Sequence, residues 1–99
     1  MEKYVGEYLI ERDIHLRPAV DIGNEVVEFV HTYGMKIWIG DYFHSEISPI
    51  AIMLECGKAF KENNGLIRIT TSGEYSLEEL KLTADEIGKR FMKSKSKHL

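Results

Sequence analysis

One broad apolar stripe, bounded by a proline and a glycine, constrains this chain more than any other feature. Ala19, Ile22, Val26 and Phe29 recur at three- and four-residue spacing, with Val20, Val27 and Val30 alongside. That period is helical, and a stripe this wide is buried against a layer rather than a single neighbour. Pro18 suits the first helical position, where no intrahelical N–H bond is required. Gly34 suits the left-handed residue that follows a helix end. The layer has to come from the flanks. Upstream, EKYVGEYLIE is rich in Tyr, Val, Leu and Ile and lacks proline, which predicts a strand over 2–11. Downstream, Met35, Ile37 and Ile39 alternate with Lys36 and Trp38. This is a strand with one face on a core, and it leaves Trp38 on the other face.

The rest of the chain repeats the theme. DYFHSE continues as a short strand after a turn near Gly40–Asp41. Ser48 reads as an N-cap and Pro49 as a first-turn proline, opening a helix over Ile50–Phe60. ENNG breaks the chain, and LIRITT is a strand with Ile67 and Ile69 on one face. Leu77, Leu80, Ala84, Ile87 and Phe91 predict a final helix from Ser76 to about Lys93, opened by a Ser76–Glu79 capping box. The order is βαββαβα. It predicts an α+β fold: an antiparallel four-stranded sheet with three helices on one face. Ninety-nine residues suffice for a single domain, read as 1–93, followed by a short basic tail over 94–99.

Composition narrows the function classes. The formal charge of −3 argues against a nucleic-acid partner. With no apolar run long enough to span a bilayer, no membrane insertion is expected, and with no leader-like start the expected address is cytoplasmic. Cys56 stands alone among apolar neighbours, as a buried thiol does. His15, His31, His44 and His98 match no metal-ligand spacing, so no metal is expected. Phosphate-loop, dinucleotide and nucleophile-elbow patterns are absent, and no cofactor is expected.

DIHLRPAV, from Asp13 to Val20, remains. The first amides of a helix lack intrahelical partners and carry positive partial charge, so such an end attracts anions. His15 precedes that end, and Arg17 adds a permanent charge with a planar donor fork suited to phosphate. An imidazole is also a competent nucleophile near neutral pH. These residue types fit a reversible phosphohistidine. They also fit a histidine that merely caps the helix or sits in solvent.

IHLRPA, Ile14 to Ala19, resembles the active-site motif of the histidine-containing phosphocarrier protein family, HPr, of the bacterial sugar phosphotransferase system. SPIAIM, Ser48 to Met53, is similar to that family's second block, a serine opening a short apolar helix. The resemblance spans about residues 3 to 92. It implies an open-faced β-sandwich and a monomer. It implies that His15 takes a phosphoryl group on Nδ1 from Enzyme I, charged by phosphoenolpyruvate, and passes it to an EIIA-type partner. Arg17 would neutralise the phosphoryl charge, and the backbone N–H groups of Leu16 and Arg17 would hold it. Ser48 matches a serine modified by a regulatory kinase in some members. Ile50 and Met53 match apolar positions that dock partners. The same motif also suits an HPr-like regulator that binds a transcription factor or enzyme. Asp13 departs from the family pattern, which usually has glycine there, and Leu16 replaces a small or polar residue.

Overall fold

The computed structural model describes residues 1–92. The elements are β1 (Glu2–Leu9), α1 (Leu16–Tyr33), β2 (Lys36–Ile39), β3 (Tyr42–Phe43), α2 (Pro49–Glu62), β4 (Leu66–Gly73) and α3 (Leu77–Gly88). A short 3-10 turn over His44–Glu46 joins β3 to α2. Lys93, the basic tail and His98 lie outside the described residues.

The strands form one antiparallel sheet in the order β1-β4-β2-β3. Alternation then sorts the side chains. Tyr8, Ile37, Ile39, Ile67 and Ile69 fall on one face and are buried with Ala19, Ile22, Val26, Ile52, Leu80, Ala84 and Ile87 of the helices. Three helices on one face of a four-stranded antiparallel sheet make an α+β fold compatible with an open-faced sandwich. The other face carries Val5, Thr70, Trp38 and Phe43, paired in register across all four strands. Trp38 lies there as its alternation predicts. It is half-buried, 4.9 Å from the Phe43 ring centroid and beneath the Lys3 ammonium at 5.5 Å.

Several element limits shift for local reasons. α1 begins at Leu16, two residues before Pro18, so His15 becomes its N-cap. Pro18 still lies in the first turn, where its missing N–H costs nothing. Gly34 ends the helix with φ 66° and donates its N–H to the Val30 carbonyl at 2.9 Å. From α1, Ala19, Ile22 and Val26 are fully buried in the core and Phe29 and Val30 pack partly against it; Val20 and Val27, on the edge of the stripe, stay exposed.

α2 runs on to Glu62 because Cys56 and Ala59 keep the buried period until Asn63 stops it. β3 is only two residues long. Beyond it, the His44 imidazole takes the place of a strand carbonyl, with its Nδ1 accepting the Ile37 N–H at 3.2 Å. α3 ends at Gly88 rather than near Lys93. There the Tyr8 ring presses so close that any Cβ would overlap it. That approach lets the Tyr8 hydroxyl donate to Asp85 at 2.6 Å. The following turn still delivers Phe91 to the core, fully buried.

Candidate functional site

His15 stands at the junction between the β1–α1 loop and α1. Its backbone is extended, with φ −84° and ψ −171°, and its carbonyl accepts the first intrahelical bond from Ala19 at 3.0 Å. The ring makes no capping bond to the helix amides. It lies in solvent, 77% exposed, with Nε2 3.6 Å from an Asp13 carboxylate oxygen. The loop places Asp13 beside the ring because both residues flank Ile14, which packs partly against the core.

Two donors remain open at this helix start. Pro18 has no N–H, and the Ala19 amide is used within the helix. The Leu16 and Arg17 amides have no partner among the described residues. The Arg17 side chain is exposed and forms no ion pair or hydrogen bond among them either. No acidic residue occupies the first turn of α1 to offset the positive end of the dipole. The sequence-predicted set of His15, Leu16 and Arg17 is thus brought together at one exposed point. Chemically, it offers a nucleophilic nitrogen, two amide donors and a guanidinium.

Ser48, Ile50 and Met53 form a second group, away from the first. Ser48 is the N-cap of α2, and its hydroxyl oxygen accepts the Ala51 N–H at 3.1 Å. Ile50 and Met53 lie on the next turn, 66% and 37% exposed. α2 runs back along α1. A Cβ on Gly23 would touch Ile52, Val27 shares a hollow with Ser45 before α2, and Phe60 near its end lines another with Ile10 to Asp13. Roughly 18 Å of helix axis therefore separates Ser48 from the Phe60 end that neighbours the His15 loop.

Val20, Leu54 and Phe60 are exposed apolar residues that the sequence reading did not single out for docking. Helical period was the available signal. It puts Leu16 and Val20 on the same flank of α1 as Gly23, which faces α2. Phe60 joins the surface near His15 only because α2 runs back along α1 toward the β1–α1 loop.

The remaining candidates have structural surroundings. His44 is held by the Ile37 N–H, and burial, with His31 and Lys36 nearby, pulls its pKa below the usual imidazole range. An Nδ1 lone pair given to a backbone donor leaves the proton on Nε2, which disfavours metal ligation there. No group of three or more metal-ligating side chains occurs among the described residues. Cys56 is buried, and burial, with Glu55 adjoining, pushes its thiol up to about 12. No helix among the described residues is long and apolar enough to cross a membrane. Comparison with models of known protein families, with curated proteins and with solved structures finds no match for this chain.

Proposed function

We propose that this chain is a phosphoryl carrier of the HPr type. The reading rests on one observation: an exposed histidine caps a helix whose first amides and neighbouring arginine have no partner among the described residues. Burying or pairing these groups internally would have stabilised the helix. Left open, they suit a transient anion. The βαββαβα order and the IHLRPA and SPIAIM stretches support the same reading.

In this role His15 accepts the phosphoryl group from phosphorylated Enzyme I and yields it to a histidine or cysteine of an EIIA-type partner. The Leu16 and Arg17 amides donate to the phosphoryl oxygens, and the Arg17 guanidinium offsets their charge. The cradle has to hold the group without trapping it, and solvent exposure keeps its electrostatics modest. Ile50 and Met53, exposed near the α2 start, supply apolar surface for successive partners. Ser48 is a candidate for regulatory phosphorylation. A phosphate at the α2 N-terminus is favoured locally, and it would charge the surface beside Ile50.

The test is incubation with phosphoenolpyruvate and a cognate Enzyme I. The expected product is an acid-labile adduct on His15 that is absent from His15→Ala and transferable to an EIIA protein. An undiminished adduct in His15→Ala, or none in the wild-type chain, refutes the assignment. An adduct that forms but never leaves for EIIA favours the regulator.

A further inference from the structure

Asp13 is the one residue at the α1 start that the carrier reading leaves without a role. Its carboxylate stands 3.6 Å from Nε2 of His15, on the opposite side of the ring from Nδ1. That distance exceeds a direct hydrogen bond, so the carboxylate acts on the ring through its charge. A neutral imidazole has one N–H and one lone pair, and its surroundings decide which nitrogen carries which. A carboxylate facing Nε2 favours the proton there, which leaves the lone pair on Nδ1. It also disfavours a phosphoryl group on Nε2, because two anions would then be forced together. Proton and charge select the same atom.

We infer that Asp13 is a positioning residue that makes Nδ1 of His15 the phosphoryl acceptor; this rests on the carrier reading of the site. The step balances without proton transfer. The Nδ1 lone pair attacks the phosphorus of an N-phosphorylated imidazolium donor. A new N–P bond forms as the donor's N–P bond breaks, and that electron pair returns to the donor ring, which leaves neutral. The Nε2 proton stays in place and the His15 ring takes up the positive charge. Asp13 lies beside that charge, so it stabilises the loaded ring as well as choosing the atom.

Two measurements on the full chain test this. Long-range proton–nitrogen NMR gives the ratio of Nε2–H to Nδ1–H tautomers of neutral His15. Phosphoramidate, a small donor that needs no protein partner, gives the ratio of Nδ1- to Nε2-phosphohistidine. Both side chains are exposed, so Asp13→Ala is expected to lower each ratio by about two- to fivefold. Asp13→Glu is expected to recover part of the loss, which a purely structural role for the loop would not predict. Unchanged ratios in Asp13→Ala overturn the inference. The tautomer ratio requires no phosphoryl donor, so it decides the role of Asp13 even where Enzyme I fails to load His15. Conversely, normal loading by Enzyme I with unaltered ratios keeps the carrier and removes this role.

Discussion

α1 and α3 lie on the same sheet face, yet their first turns are finished in opposite ways. At α3, Ser76 accepts the Glu79 amide at 3.1 Å, and the Glu79 carboxylate accepts the Ser76 N–H at 3.0 Å. Two orphan donors are satisfied within the chain, and Glu78 and Glu79 offset the dipole. α2 is intermediate, with a serine cap and a first-turn proline. At α1 the cap is an imidazole without a capping bond, and a guanidinium with no partner among the described residues follows two residues later. A helix start that serves only the fold is closed by its own side chains. One left open and positively charged has forgone that stabilisation, and an external anion is the partner that restores it.

The largest expected effect breaks the comparison outright. His15→Ser should abolish the phosphoryl adduct completely while giving α1 the kind of cap that α2 and α3 already have. Thermal unfolding should then show a gain of about 0.5–1 kcal/mol, or several degrees in Tm. A lower Tm would mean that the imidazole contributes to the fold after all. Arg17→Ala comes next. Loss of a charge-assisted phosphate contact should slow transfer about 10- to 100-fold. Its unfolding free energy should stay within about 0.5 kcal/mol of wild type, since the side chain is exposed and has no partner among the described residues. A large drop in stability would reassign Arg17 to the fold.

Closing residues should show the reverse pattern. Ser76→Ala removes a capping box and is expected to cost about 1–2 kcal/mol in chemical denaturation, and Ser48→Ala about 1 kcal/mol, with His15 loading unchanged in both. Loss of loading in Ser76→Ala would tie α3 to the site. The smallest effect concerns pH. Burial alone would raise the Asp85 carboxyl, but the hydrogen bonds from Tyr8 and Lys81 outweigh it and hold the group below its ordinary 3.8. The folded chain therefore binds this proton less readily than the unfolded one. Its contribution is full above about pH 4 and is lost as pH falls through the lower folded value. A urea midpoint measured against pH should fall less steeply below pH 4 in Asp85→Asn than in wild type, and parallel curves would contradict the sign.

Much of the architecture was legible because it depends on period. Alternation at Met35, Ile37 and Ile39 and the stripe through Ala19, Ile22 and Val26 reflect which atoms face a layer, and local spacing carries that information. The capping box at Ser76–Glu79 was legible because its partners are three residues apart. Limits set by distant contacts were not. α3 stops at Gly88 where Tyr8, from the first strand, meets it. β3 stops where His44 returns to Ile37. The candidate site divides along the same line. His15, Leu16 and Arg17 are adjacent in sequence and so could be read together, whereas Phe60 reaches the same end of the molecule only through the length and direction of α2.

By itself the sequence determined the number and kind of elements, the buried face of each, and the identity of the groups gathered at the α1 start. These follow from spacing along one segment of backbone. The tertiary structure decided which helix ends lie together, how far Ser48 sits from His15, and on which ring nitrogen the Asp13 charge falls. Such relations depend on how the layers pack and how the loop before α1 turns, and no local periodicity encodes them.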